Sequence, residues 1–236
     1  MKDQYYGDIN DYWTYGLLRV LQARLGWSIG ICWMRSAPDG RNDGNKISYL
    51  SQPERYQAHD PALFQALSQS VQQGRRALSE FEQSGLLPAS QYFGAPVPLD
   101  RAARSEYWQQ AQAQLSDCDL VFFDPDNGLA IASVARGARQ SDKYLWLDEA
   151  EPFFTQGQRL LLFQHFPRTQ REPYLAMRAQ QVRAALQAND GSNTVEILSF
   201  SHAHVSFLLV IKSTERDLLK TALQPHSAFF GHLRWH

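Results

Sequence analysis

The chain has 236 residues, with 23 Lys and Arg against 24 Asp and Glu and a formal net charge of −1. That length suits one sizeable α/β domain, and no Ser/Gly-rich linker or block of charge divides it. The near balance of charge excludes the global basic field that drives strong non-specific nucleic-acid binding, so a nucleic-acid partner would need a local patch. Cys32 and Cys118 each lie inside an apolar run with no second Cys or His at ligand spacing, which speaks against a disulfide framework or a zinc site. No apolar run reaches transmembrane length, and the opening MKDQYYGDINDYW lacks the apolar core of a signal peptide. The expectation is a cytoplasmic chain with no membrane partner.

Along the chain, residues 11–25 place Trp13, Leu17 and Leu21 beside Tyr15, Leu18 and Leu25 at three-to-four spacing, which predicts a helix despite Gly16. WSIGICWM (27–34) reads as a strand, RSAPDGRNDGN (35–45) as a turn-rich loop and KISYL (46–50) as a second short strand. Asp60 as cap, Pro61 at the first helical position and Leu63, Leu67 and Val71 on one face predict a helix over 60–74. A weaker helical segment follows near 75–85, then a strand within ASQYFGAPVP (89–98) and a helix over 99–118 with Asp100 as cap. After a strand at 119–124, KYLWLDEAEPFF (143–154) reads as helix, RLLLFQHF (159–166) as strand, and 171–189 as a long helix ended by Asn189, Asp190 and Gly191. TVEILSFS (194–201) and HVSFLLVIKS (204–213) are strands whose very short connection permits only antiparallel pairing. Alternating strands and helices predict a single three-layer, Rossmann-like α/β domain over 1–236. Its sheet is mostly parallel, with 27–34, 119–124 and 159–166 central and a C-terminal antiparallel hairpin at one side.

The segment CDLVFFDPDNGLAI (118–131) carries the strongest functional signal. Leu120, Val121, Phe122 and Phe123 have the content of a strand buried on both faces, and Asp124-Pro125-Asp126-Asn127-Gly128 is turn chemistry at its carboxyl end. In open α/β sheets ligands bind in the crevice over those ends. The strand at 159–166 ends in Gln164 and His165 with Arg168 just beyond, and two polar clusters on two strand ends predict one cleft. Asp124, Asn127, His165 and Arg168 are expected there, with Asp8 and Asp11 from the N-terminal segment. His202 and His204 could form an i, i+2 metal pair, but a surface hairpin tip is the plainer account. The aromatic, His- and Arg-containing end HSAFFGHLRWH (226–236) is compatible with nucleic-acid stacking, with a packed terminal strand as the simpler reading.

The order of elements, ending in an antiparallel pair after the last long helix, resembles the S-adenosylmethionine-dependent methyltransferase fold. FFDPDNG resembles the Asp/Asn-Pro-Pro-aromatic motif of amino-methyltransferases acting on nucleic-acid bases. Asp124 and Pro125 match it, and Asp126 and Asn127 stand where the second Pro and the stacking aromatic would be. YYGDINDYWTYGLL (5–18) is similar to the Gly-Asn-x-x-Asp-x-x-Lys-His opening of the ribosomal RNA adenine-N6 methyltransferases: Gly7 and Asp11 match, Asp8 replaces the Asn, and Thr14 and Tyr15 replace Lys-His. The resemblance implies S-adenosylmethionine as cofactor, held by Asp8, Asp11 and the loop glycines Gly40 and Gly44. It implies an amino-group acceptor, that of a nucleic-acid base included, with Asp124 and Asn127 orienting it, His165 taking the proton, and Asp126 and Arg168 contacting the substrate. No metal is expected. Asp39 and Asp43 in that loop disfavour a nucleoside triphosphate.

Two other classes stay open. Four apolar residues followed by Asp-x-Asp also resemble the haloacid-dehalogenase signature, in which Asp124 is the nucleophile, Asp126 the general acid and the pair holds Mg²⁺. A nuclease reading begins a metal site at Asp126 with Asp148 or Glu149 as the second carboxylate, but no Glu-x-Lys follows. A relative that binds a ligand without catalysis is the remaining class, which a cofactor-binding measurement separates from the enzymes.

Overall fold

The structure, a computed structural model, describes residues 1–37, 40, 44–187, 195–202, 205–226 and 229–236. The strands are β1 (Ile29–Cys32), β2 (Ser90–Phe93), β3 (Leu120–Phe123), β4 (Gly128–Leu129), β5 (Tyr144–Leu145), β6 (Arg159–His165), β7 (Val195–Ser201), β8 (Val205–Lys212) and β9 (His232–Trp235). The α-helices are α1 (Ile9–Leu25), α2 (Pro53–Tyr56), α3 (Pro61–Gln72), α4 (Leu78–Gln83), α5 (Arg101–Leu115), α6 (Leu147–Thr155), α7 (Arg171–Gln187) and α8 (Arg216–Leu223). Carboxylate caps start three of them: Asp8, Asp60 and Asp100 accept from the backbone N–H of Asn10, Leu63 and Ala103 at 2.8, 3.1 and 2.9 Å. Each satisfies a donor that the first helical turn leaves open.

Seven strands form one sheet in the order β2-β1-β3-β6-β8-β7-β9, and β4 and β5 form a separate two-stranded parallel ribbon. The pairs β1–β2, β1–β3 and β3–β6 are parallel. β8 runs antiparallel to β6 and to β7, so β7 points the same way as β6, and β9 is antiparallel to β7. β7 is therefore not the edge; β9 covers it. Residues 203–204 between β7 and β8 lie outside the described residues, as do Asn189, Asp190 and Gly191 after α7.

All four residues of β1 and of β3 are buried, as a continuous apolar run on a two-sided sheet requires. Alternate side chains go to opposite layers. Ile29, Ile31, Leu120, Phe122 and Leu161 pack with α1, α3, α4 and α8, whereas Cys32, Val121, Phe123, Leu160 and Leu162 pack with α5, α6 and α7. Each large apolar side chain fully removed from water contributes roughly 1.5–3 kcal/mol. No described helix is long and apolar enough to cross a membrane.

Two segments differ from the sequence expectation. Residues 46–50 are not a strand: Ser48–Ser51 is a 3-10 turn, and Tyr49 turns inward to donate its hydroxyl to the Gly7 carbonyl at 3.2 Å. Within 143–154 the helix begins only at Leu147, since Tyr144 and Leu145 pair with Gly128 and Leu129 first.

Candidate active site at the carboxyl ends of β1, β3 and β6

From β1 the chain passes through α3 and α4 on one face of the sheet to β2, whereas from β3 it passes through α6 on the other face to β6. The order therefore reverses between β1 and β3, and a crevice opens over their carboxyl ends. A cavity of about 530 Å³ lies there, within the usual range for a small-molecule site. The loop after β3 contributes Asp124, Asp126 and Asn127, and β6 contributes His165. The start of α1 and its approach contribute Asp8 and Asp11, and Gly44 closes one side.

Asp124 directly follows β3 and is only 6% exposed. Its backbone N–H donates to the Cys32 carbonyl at 3.1 Å, which fixes the residue against β1. Its carboxyl has no hydrogen-bond or ion-pair partner among the described residues while it faces the cavity. Burial lifts its pKa to about 7; the Met1 amino group pulls against that and the Asp126 carboxylate adds to it. Across the cavity Asp11 accepts from the Gly7 N–H at 3.1 Å, and burial, then Asp124 and Asp8, push its carboxyl well above the usual range. Asp8 is raised by burial, against the Asn10 N–H and Lys46. Three carboxyls thus face the cavity, which Met1, Lys46 and Lys143 line as well. No group of three or more His, Cys, Asp or Glu side chains among the described residues has a metal-binding arrangement.

Asp126 has a different environment. Its Oδ1 is 2.7 Å from the Met1 amino nitrogen, its Oδ2 accepts from the Ser36 hydroxyl at 2.6 Å, and Lys2 Nζ stands 3.8 Å away. Burial would raise its pKa, but the amino group, Ser36 and Lys2 outweigh it and hold the group below its ordinary value. The Met1 amino group also donates to the Met34 carbonyl at 2.9 Å and to the Asp124 carbonyl at 3.3 Å, so it ties the ends of β1 and β3 together. Asp126 is a structural anchor on the cavity wall.

The loop that carries Asp124 is clamped to β6. Gln164 accepts from the Leu129 N–H at 3.0 Å and donates to the Asn127 carbonyl at 3.4 Å and the Tyr174 hydroxyl at 2.7 Å. Asn127 donates its N–H to the Lys143 carbonyl at 2.9 Å. Buried Arg178 donates to the Leu129 and Ala130 carbonyls at 3.2 and 3.0 Å. These partners set where Asp124 and Asn127 point.

Two expected residues lie elsewhere. Gly40 is exposed, with open space around its Cα and no place on the cavity wall. Arg168 is exposed because Phe166 and Pro167 lead the chain away from β6 before α7 begins. Gly44 does line the cavity, but its positive φ of 92° serves a close approach to Gln4 and Tyr5 of the N-terminal segment. His202 stacks on Trp13 at 4.0 Å, and His204 lies outside the described residues. Sequence reasoning missed Met1, Ser36, Lys46 and Lys143. No periodicity or motif marks them, because each reaches the cavity or its anchor from a separate loop or terminus. Gln164 and the Asn127-Gly128 pair carried a visible signal, as polar residues at a strand end and a turn dipeptide. No protein-family model matches the chain, and no curated protein matches it.

Proposed function

We propose that the chain is an S-adenosylmethionine-dependent methyltransferase acting on an amino group. The observation that carries this reading is the Asp124 carboxyl, buried at the reversal point of the sheet and facing a 530 Å³ cavity without a hydrogen-bond partner among the described residues. The antiparallel β7–β8 pair after α7, following a parallel β2-β1-β3-β6 half, supports the resemblance from which the reading starts.

The donor set fits such a cofactor in its charge. Asp8 and Asp11 accept hydrogen bonds from ribose hydroxyls and tolerate a positive sulfur, and Lys46 at the rim complements a carboxylate. The same acids disfavour a nucleoside triphosphate. When bound, the cofactor supplies a methyl group on a cationic sulfur that leaves as a neutral thioether. Asp124 accepts a hydrogen bond from the acceptor nitrogen and fixes its lone pair in line, so that positioning supplies most of the rate. His165, on the same cavity wall, is the second group able to take the proton.

A phosphohydrolase would need Asp124 and Asp126 to hold Mg²⁺ together. Both Asp126 oxygens are already engaged, one by the Met1 amino group and one by Ser36, which weighs against that reading. Calorimetric titration with S-adenosylmethionine, with MgATP as the contrasting ligand, tests the proposal. Binding of the first alone supports it, and binding of MgATP alone rejects it.

A further inference from the structure

A 340 Å³ groove beside Arg101, Arg104 and Arg136 offers little free charge: Arg104 is saturated by Glu149, Ser141 and Tyr144, and Arg136 pairs with Asp148. The Trp13 surface is already occupied by the His202 ring. The Asp124 carboxyl faces the main cavity without a partner among the described residues, and it constrains the acceptor itself.

We infer that the amino acceptor is a slim alkylammonium rather than the exocyclic amine of a nucleic-acid base. This rests on the methyltransferase reading and names the substrate class of that site. The first observation is the pairing state of Asp124: 6% exposed, on the cavity wall and without a partner among the described residues. A buried carboxylate is costly unless a charge or several hydrogen bonds compensate it. Where Asp124 is ionised, above about pH 7, a neutral arylamine leaves its charge standing, whereas an ammonium cancels it. The second observation is that Asp8 and Asp11, 3% and 6% exposed, line the same cavity, so an ammonium seated beside Asp124 has further carboxyl oxygens within the same space to accept from it. Tyr5 and Phe163 give the cavity an apolar wall for a short alkyl chain.

The proton balance suits this substrate. The ammonium N–H bond breaks with its electron pair staying on nitrogen, an O–H bond forms on Asp124, and the freed lone pair is the one that methylation requires.

The experiment is calorimetry on the full chain with n-butylamine, n-butanol and adenine as probes, each alone and with S-adenosylmethionine present. The expected result is that n-butylamine binds at least about tenfold more tightly than its neutral isostere n-butanol. Asp124→Asn, its folding checked by thermal melting, should remove that preference, and adenine should bind more weakly than the amine. Equal binding of amine and alcohol, or tighter binding of adenine, overturns the inference, and the comparison of probes on the unaltered chain needs no variant. The two readings fail separately. Binding of S-adenosylmethionine with no amine preference overturns only the substrate class; an amine preference without cofactor binding keeps the ammonium site and overturns the methyltransferase.

Discussion

A Cβ atom on Gly128 would lie 2.6 Å from the Nε2 of Gln164. The glycine also has φ of 99°, a region that residues with side chains rarely adopt. This contact lets the loop after β3 press against β6 and brings Asp124 and Asn127 to the same cavity as His165. Gly128→Ala should destabilise the protein by roughly 1–3 kcal/mol in urea unfolding and weaken ligand binding. A variant as stable as the parent would show that the clamp does not set the loop.

Asp124 makes a prediction with an unusual sign. Its folded pKa of about 7 lies above its ordinary value of 3.8, so the folded state holds its proton more tightly than the unfolded chain does. Its stabilising contribution is complete below pH 3.8 and is lost as pH rises to about 7. At pH 7.5 the neutral isostere in Asp124→Asn should therefore stabilise the fold by roughly 2–4 kcal/mol while binding of a cationic ligand falls. Thermal melting across pH 4 to 8 would check it. A variant less stable than the parent at neutral pH would mean the carboxylate is compensated.

Arg104 and Glu149 are 3% and 8% exposed and form a bidentate pair at 2.6 and 2.9 Å. The pair ties α5 to α6 and holds the Ser141 and Tyr144 carbonyls, behind the segment that supplies Lys143. Arg104→Met should cost about 3–5 kcal/mol because it strands a buried carboxylate. Adding Glu149→Leu should recover much of that loss. A double-mutant cycle by urea unfolding reads the coupling, and additive losses would contradict the pairing argument.

Asp8 has two roles that substitution separates. As cap of α1 it accepts from Asn10, and as a carboxylate it faces the cavity. Asp8→Asn keeps a good cap, so stability should change by less than about 0.5 kcal/mol, whereas Asp8→Ala should cost about 1 kcal/mol. Both should weaken a cationic ligand. Unchanged affinity in Asp8→Asn would confine the residue to capping.

Much of the frame was legible because its signals are local. The caps Asp60 and Asp100, the apolar runs at 29–32, 120–123 and 159–165, and the polar strand ends at Asp124 and His165 are all written within a few neighbouring residues. The short run 46–50 misled because its alternation reflects one inward tyrosine, not a strand with a partner. The anchoring of Asp126 was invisible, since Met1 reaches it from the start of the sequence and Ser36 across 90 positions, and no spacing rule links them. Gly40 and Arg168 look like site residues by type and neighbourhood, yet the chain carries both into solvent.

The most direct test of the central claim is a crystal structure grown with S-adenosylhomocysteine, the demethylated form of the proposed cofactor. The ligand should lie over the ends of β1 and β3, with Asp8 or Asp11 within hydrogen-bond distance of its ribose and its sulfur turned toward Asp124. Ligand density at another site, or an Asp124–Asp126 pair holding a metal ion with this cavity otherwise empty, would contradict the account.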